Sequence, residues 1–350
     1  MLKIYCLSIL VLIIFFISLS VNGQDAETYL MKGNTKVENN NLIGAIKEYN
    51  KACELNPNIP EVYYNRGSVY YDLGKYELAI ADFSKALELN PTDTNSFINR
   101  GLAYFEIGKS LEAIQNYTSA ILLSPEDADI YFNRAIAYDK LKNYELAISD
   151  LEKVNSLKQN DKDSYNLMGN IYRKIKNYDK ALQIFNNSIS FDEKNYEAYY
   201  WRGILFKALG KTDEALSDFT NSIKINPEYS LAYNSRGYIY LKQNKLSMSL
   251  DDFNKAIKYS NNFAYALNNR GLVYTLLKNY EYALNDFTYS FNLDALNPYL
   301  FKNRGYLYFE KGDYKNAISD WKKAISMNFK FDIELKPKIE DAEKLISNNK

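Results

Sequence analysis

The chain of 350 residues contains no histidine and only two cysteines, Cys6 and Cys53. The absence of histidine excludes Ser–His–Asp and Cys–His nucleophilic sites, histidine general bases and histidine metal ligands. Two cysteines are too few for a cysteine-based zinc site. Catalysis by Asp, Glu, Lys, Tyr or Ser stays open, but it would need acids that converge in one site. We predict a protein that is not an enzyme and that uses no metal and no cofactor.

The chain also lacks an excess of charge of either sign, because 43 Lys and Arg residues balance 43 Asp and Glu residues. Proteins that bind nucleic acid usually carry a basic excess, so we expect no nucleic-acid partner. Hydrophobic residues make up 47% of the chain and charged residues 25%, which is typical of folded proteins.

A long apolar run occupies residues 4–21, near the N-terminus. A basic residue precedes it and Val21-x-Gly23 ends it, the pattern of a secretory signal peptide cleaved after Gly23, with cleavage after Ser20 as the second choice. The alternative is an uncleaved membrane anchor, since about 18 apolar residues can just span a bilayer. Either way, segment 1–23 predicts an exported protein that is periplasmic, secreted or membrane-anchored and facing outward.

The rest of the sequence has a period of 34 residues. A small residue marks each period: Gly33, Gly67, Gly101, Ala135, Gly169, Gly203, Gly237, Gly271 and Gly305. If the first repeat begins at Ala26, this small residue is position 8 of its repeat. Nine repeats then follow without insertion: 26–59, 60–93, 94–127, 128–161, 162–195, 196–229, 230–263, 264–297 and 298–331. We number them repeats 1 to 9.

Other positions obey the same register. Positions 4, 11 and 24 are mostly aromatic and position 20 is mostly alanine. Positions 4, 8 and 11 fall on one face of a helix, and positions 20, 24 and 27 fall on one face of another. Because glycines such as Gly74 and Gly108 interrupt the pattern between them, each repeat is predicted to form two antiparallel helices. The small residues at positions 8 and 20 would let these helices approach closely.

These residues resemble the tetratricopeptide repeat (TPR) family over residues 26–331. In repeat 2 the matching residues are Tyr63, Gly67, Tyr70, Ala79, Phe83, Ala86 and Pro91. The resemblance implies an all-α fold, a right-handed superhelical solenoid of nine helix-turn-helix repeats with a concave groove. Residues 332–350 are predicted to form a capping helix and tail, with Pro337 in the first turn. Four apolar residues would cover the last repeat: Leu335, Ile339, Ala342 and Ile346.

Arginine at position 7 varies together with an acid at position 23. Six repeats carry both residues: Arg66 and Asp82, Arg134 and Asp150, Arg202 and Asp218, Arg236 and Asp252, Arg270 and Asp286, and Arg304 and Asp320. In repeat 5 neither polar partner is present, because position 7 is Met168 and position 23 is Ile184. This co-variation predicts a structural pair within one repeat. The alternative is a row of arginines that binds an anionic ligand.

In TPR proteins the first helix of each repeat lines the groove, so the resemblance implies a set of groove residues. Position 6 is Asn65, Asn99 and Asn133 in repeats 2 to 4. In some TPR proteins such an asparagine ladder clamps a peptide backbone, since an amide donates and accepts at once. The alternative is that these asparagines only cap or solvate their helices. The other predicted groove residues are Tyr64, Tyr71, Phe105, Phe132, Asn166, Asn170, Arg173, Tyr200, Lys207 and Tyr238.

Exposed aromatic rings in a groove suit peptide side chains and sugar rings equally well. They would suit neither if neighbouring helices covered them. We therefore predict an exported, non-catalytic TPR scaffold that holds a protein or peptide segment in its concave groove. The alternatives are a binder of a glycan or cell-envelope polymer, and an assembly factor that uses the convex face. Membrane attachment through residues 4–21 stays open.

Overall fold

A computed structural model describes residues 25–348 of the chain, so the apolar segment 4–21 and its predicted cleavage sites lie outside the described residues. Within that range the protein is helical and contains no strand. None of the described helices has the length and apolarity needed to cross a membrane.

Helix α1 comprises residues 25–38 in the described part of the chain. Eighteen more helices follow in order: α2 (Leu42–Leu55), α3 (Pro60–Asp72), α4 (Tyr76–Leu89), α5 (Thr94–Glu106), α6 (Ser110–Leu123), α7 (Ala128–Lys140), α8 (Tyr144–Leu157), α9 (Lys162–Lys174), α10 (Tyr178–Phe191), α11 (Tyr196–Ala208), α12 (Thr212–Ile225), α13 (Ser230–Lys242), α14 (Leu246–Tyr259), α15 (Ala264–Leu276), α16 (Tyr280–Leu293), α17 (Pro298–Glu310), α18 (Tyr314–Met327) and α19 (Asp332–Asn348). A short 3-10 turn, Phe329–Phe331, precedes α19.

Each complete repeat from repeat 2 onward consists of a 13-residue first helix and a 14-residue second helix. A three-residue loop joins them, and its middle residue, position 15, has a positive φ in every repeat. Four repeats place glycine there, for example Gly74 with φ +69, and the other five place Asn or Lys. A left-handed residue after a helix ends it and reverses the chain, which is why the pattern breaks at this point.

The two helices of a repeat touch where the small residue of position 8 faces the side chain of position 24. A Cβ atom added at Gly271 would lie 2.8 Å from Cε1 of Phe287, closer than carbon atoms pack. The missing Cβ therefore makes room for the ring. In repeat 4, position 8 is Ala135 and position 24 is Leu151, so the extra methyl group accompanies a smaller, non-aromatic partner.

The helices form two compact units, one ending at Ile171 and the other beginning at Tyr172. The core of the first unit contains Phe83 and Tyr117, and that of the second contains Phe219 and Phe287. The boundary falls inside α9 of repeat 5, the repeat that lacks the Arg–Asp pair.

Helix α19 closes the second unit. Leu335, Ile339 and Ala342 are buried against a cluster that includes Trp321, as the sequence predicts, whereas Ile346 is half-buried. The predicted placement of Pro337 in the first turn is wrong. The helix begins at Asp332, directly after the 3-10 turn, so the proline lies one turn further along inside the helix.

Candidate functional site

The position 7 arginines are held inside the repeats. The Arg134 guanidinium donates from Nε to Asp150 Oδ2 at 2.8 Å and from Nη2 to Asp150 Oδ1 at 2.7 Å, a bidentate ion pair. All six predicted pairs meet within their own repeat in this way: Arg66 with Asp82, Arg134 with Asp150, Arg202 with Asp218, Arg236 with Asp252, Arg270 with Asp286, and Arg304 with Asp320. Their guanidinium groups therefore tie the first helix to the second rather than forming an open row of cations.

These arginines also form a hydrogen bond that the sequence analysis does not predict. Arg66 Nη1 donates to Asn50 Oδ1 at 2.7 Å, and Arg134 Nη1 donates to Thr118 Oγ1 at 3.1 Å. Both acceptors occupy position 25 of the preceding repeat, which is Asn, Ser or Thr in every repeat except repeat 4, with Glu152, and repeat 9, with Lys322. One guanidinium thus links three helices from two repeats, and the hydroxyl or amide at position 25 is the signal that could have revealed it.

Arg100 has no carboxylate partner among residues 25–348. Its Nε donates to Asn116 Oδ1 at 2.8 Å, and burial without a neighbouring anion lowers the pKa of Arg100. By contrast, the hydrogen bond to Asp82 raises the pKa of Arg66. The Asn116 amide also donates to the Glu112 carbonyl and is buried, so this asparagine belongs to the fold of repeat 3.

The asparagine ladder of position 6 has a structural role that the sequence does not reveal. Asn65 Nδ2 donates to Asn34 Oδ1 at 3.0 Å, and Asn99 Nδ2 donates to the Tyr64 hydroxyl at 3.1 Å. Each bond joins the first helices of adjacent repeats. An amide that gives one N–H to such a link still has a second N–H and its carbonyl oxygen. Asn133 makes no side-chain hydrogen bond within residues 25–348.

A cavity of about 380 Å³ lies beside the beginning of this ladder, and we call it the N-terminal pocket. It brings together Tyr64 and Asn65, both predicted from sequence, with Asn34, which was not predicted. Its full lining is Leu30, Asn34, Pro60, Glu61, Tyr64, Asn65, Asn90, Asp93 and Asn95. Four amide groups, two carboxylates, one aromatic ring, one proline and one leucine thus surround a single space. The Asn99 amide lies outside it and donates to the Tyr64 hydroxyl.

The predicted groove aromatics of the first unit are half-buried rather than fully exposed. The rings of Tyr71 and Tyr76 meet edge to face, with centroids 5.3 Å apart, and Tyr64 lies 5.9 Å from Phe83. Phe105 packs beside the core cluster of its repeat. Phe132 is half-buried as well. Neighbouring side chains therefore cover part of each ring.

Three predicted groove residues are not groove residues in the structure. Tyr200 is buried, with its ring 5.9 Å from Phe219 and 5.3 Å from Tyr229, because these two rings offer it an aromatic niche in the core. Asn166 and Asn170 are also buried, and the Asn170 amide donates to the Asn166 carbonyl at 3.1 Å. Their burial contradicts the exposure that the sequence analysis predicted for them.

The remaining predicted residues lie in the second unit beside aromatic rings. The Arg173 guanidinium carbon lies 5.7 Å from the centre of the Trp201 ring. Lys207 Nζ lies 5.0 Å from the centre of the Tyr238 ring, and Lys242 Nζ lies 5.5 Å from the same ring. We call Lys207, Tyr238 and Lys242 the lysine–tyrosine cluster. Such distances are within the range of cation–π attraction.

A second cavity, of about 430 Å³, lies next to the lysine–tyrosine cluster, and we call it the C-terminal pocket. Its lining is Tyr238, Leu241, Lys242, Asn244, Asn269, Leu272, Thr275, Leu276, Tyr299, Lys302, Asn303, Tyr306, Glu310 and Glu334. Glu334 comes from the capping helix, where its carboxylate accepts from Lys302 Nζ at 2.6 Å and from the Tyr306 hydroxyl at 2.8 Å. Sequence reasoning missed this pocket because it depends on where α19 docks.

The two aspartates whose pKa values are raised do not share a site in the described residues. Burial raises the pKa values of Asp218 and Asp286, but these carboxylates lie in different repeats and each is paired with its own arginine. Within residues 25–348 there is no cluster of three or more side chains suited to hold a metal ion.

Comparison with known families supports the repeat register. Models of the tetratricopeptide repeat match residues 60–93, 196–229, 298–331, 83–115 and 128–161, and a TPR repeat model matches 33–74, 101–142, 169–210 and 237–278. The chain belongs to the tetratricopeptide repeat family. Among curated proteins, none matches it.

Two of the solved structures that resemble this chain, with TM-scores above 0.5, show the same fold. A TPR protein from Parabacteroides merdae is 24% identical, covers 72% of this chain and 99% of its own, and superposes with a TM-score of 0.61. Cut9 in its complex with Hcn1, from the APC/C, is 16% identical over 81% of this chain and 55% of its own, with a TM-score of 0.54. YrrB, described as a TPR protein with an unusual peptide-binding site, is 24% identical over 54% of this chain and 97% of its own, with a TM-score of 0.44. At these identities the likeness concerns the fold alone.

Proposed function

We propose that this TPR protein is a non-catalytic scaffold that binds an extended peptide segment of a partner protein along its first helices. The observation that carries the proposal is the N-terminal pocket, where the amides of Asn34 and Asn65 meet Tyr64 in a cavity of about 380 Å³. Amides recognise the peptide backbone, and the ring and leucine offer apolar contact for a side chain.

The ladder extends this chemistry beyond the pocket. Asn65, Asn99 and Asn133 recur once per repeat on consecutive first helices. Asn65 and Asn99 each donate one N–H to a hydrogen bond between repeats. The amide of Asn133 makes no such bond in the described residues. Each therefore keeps groups that can bind the carbonyl and N–H groups of an extended chain, which also recur along its length.

A peptide fits the surface better than a glycan. Sugar rings stack on flat, open aromatic faces, and here Tyr64, Tyr71, Phe105 and Phe132 are partly covered by neighbouring side chains. Hydrogen bonds between asparagine side chains and a peptide backbone do not need open aromatic faces. We also infer, from the apolar run 4–21, that the scaffold is exported, so its partner would be extracytoplasmic.

Selection from a random peptide library displayed on phage tests the proposal. The wild-type protein is expected to enrich a set of peptides, and the double variant Asn65→Ala, Asn99→Ala is expected to lose those that use the N-terminal pocket. Asn50→Ala is the matched control, because it also removes a hydrogen bond between repeats but lies outside the pocket. If the wild-type protein enriches no peptide, the proposed function is wrong.

A further inference from the structure

We infer that the second unit holds a separate peptide site for an acidic segment, whose carboxylate contacts the lysine–tyrosine cluster and whose adjacent bulky apolar side chain fills the C-terminal pocket. This inference rests on the proposed function and specifies the chemistry of one part of it. Three features of the second unit support it.

The first feature is a pair of lysines beside one tyrosine ring. Lys207 and Lys242 both lie beside the Tyr238 ring, at 5.0 and 5.5 Å from its centre, and neither forms an ion pair within residues 25–348. Lys207 is exposed as a residue, yet the protein around its ammonium group lowers its pKa by desolvation. The charge of Lys242 helps to lower the pKa of Glu334, but Lys242 forms no ion pair with that carboxylate. Both ammonium groups beside Tyr238 can therefore attract the carboxylate of a ligand.

The second feature is a carboxylate that already occupies the same surface. Glu334 accepts from Lys302 Nζ at 2.6 Å and from the Tyr306 hydroxyl at 2.8 Å. Tyr306 is position 9 of repeat 9, as Tyr238 is position 9 of repeat 7. Burial alone would raise the pKa of Glu334, but the bonds from Lys302 and Tyr306 and the charges of Lys302 and Lys242 outweigh it, so the pKa is lowered. A lysine beside a position 9 tyrosine thus stabilises a carboxylate in this very protein.

The third feature is the apolar part of the C-terminal pocket. Leu241, Leu272, Leu276 and Tyr299 contribute to a cavity of about 430 Å³ that opens next to Tyr238 and Lys242. The lining carries no net charge, because Lys242 and Lys302 are matched by Glu310 and Glu334. An apolar side chain therefore suits the cavity, while the ligand's carboxylate is attracted to Lys242 in its lining and to Lys207 next to Tyr238.

The test is a second selection from the same random phage library, read by sequencing. The wild-type protein is compared with the charge-reversed variant Lys207→Glu, Lys242→Glu. The matched control, Lys224→Glu with Lys315→Glu, makes the same change in net charge on exposed second-helix positions. Enriched peptides are synthesised with each Glu and Asp, or with the corresponding Gln and Asn, and their affinity is measured by fluorescence polarisation.

We expect one class of wild-type peptides to carry an acid next to a bulky apolar residue. Replacing that acid by its amide, or reversing both lysines, should weaken binding about tenfold or more, while the control variant binds normally. Enriched peptides without an acidic preference, or acidic peptides that bind the charge-reversed variant equally well, overturn this inference and leave the proposed function standing. A library that yields no enriched peptide refutes both.

Discussion

The contact between positions 8 and 24 gives a quantitative prediction. Gly271→Ala should gain about 1 kcal/mol from helix propensity. The new Cβ, however, would lie 2.8 Å from Cε1 and 3.1 Å from both Cδ1 and Cζ of Phe287, all atoms of one buried ring. Overpacking of this kind costs about 1–3 kcal/mol. The single variant should therefore be destabilised, or at best unchanged, although alanine is the better helix former.

Phe287→Leu alone should cost about 1–2 kcal/mol because it leaves space in the core. In the double variant Gly271→Ala, Phe287→Leu the clash disappears and the helix gain remains, so the total loss should be about 1 kcal/mol or less. The coupling energy then equals the overpacking cost, about 1–3 kcal/mol. Repeat 4 already carries this combination as Ala135 and Leu151.

Urea unfolding followed by circular dichroism measures these free energies of unfolding. Repeat 4 supplies the reciprocal experiment, in which Leu151→Phe should destabilise the protein and Ala135→Gly should rescue it. If the effects of Gly271→Ala and Phe287→Leu add to within about 0.5 kcal/mol, the ring does not occupy the place of the missing Cβ and the argument fails.

Three further predictions concern charges. Asn116→Asp should stabilise the protein by about 1 kcal/mol, because the half-buried Arg100 gains the carboxylate that other repeats provide; an unchanged urea midpoint would contradict this. Arg134→Ala or Asp150→Asn should each cost about 1–3 kcal/mol in urea unfolding, and the double variant less than their sum, since each single change leaves one partner without its counter-ion. The lowered pKa of Glu334 means that its bonds stabilise the docked α19 above its ordinary pKa of 4.5 and are lost as the pH falls through the lower folded value. Amide hydrogen exchange in α19 should therefore speed up at low pH relative to the rest of the chain, and Glu334→Gln should abolish that pH dependence.

The repeat register could be read from the sequence because the contacts within a repeat have fixed separations. Position 7 meets position 23, and position 8 meets position 24, always 16 residues later, so that co-variation such as Met168 with Ile184 exposes the pairing. The positive φ at position 15 is also visible wherever glycine occupies it.

Contacts between repeats were not predictable in this way. The link from Asn99 to Tyr64 depends on how one hairpin rotates against the next, which the 34-residue period does not encode. Tyr200 shares its position with the groove residue Tyr64, yet it turns into the core because Tyr229 offers a partner ring there. Glu334 lies in the C-terminal pocket because α19 docks there, and the 34-residue pattern does not predict how α19 docks.

The most direct test of the central claim is photo-crosslinking in cells from a probe that replaces Asn133, the ladder residue on α7. The matched control places the probe at Leu146, an exposed residue on the second helix of the same repeat. We predict a few discrete protein adducts from position 133, which weaken when Asn65 and Asn99 are changed to alanine and which position 146 does not form. Equal adducts from both positions, or adducts from position 146 alone, would contradict binding along the first helices.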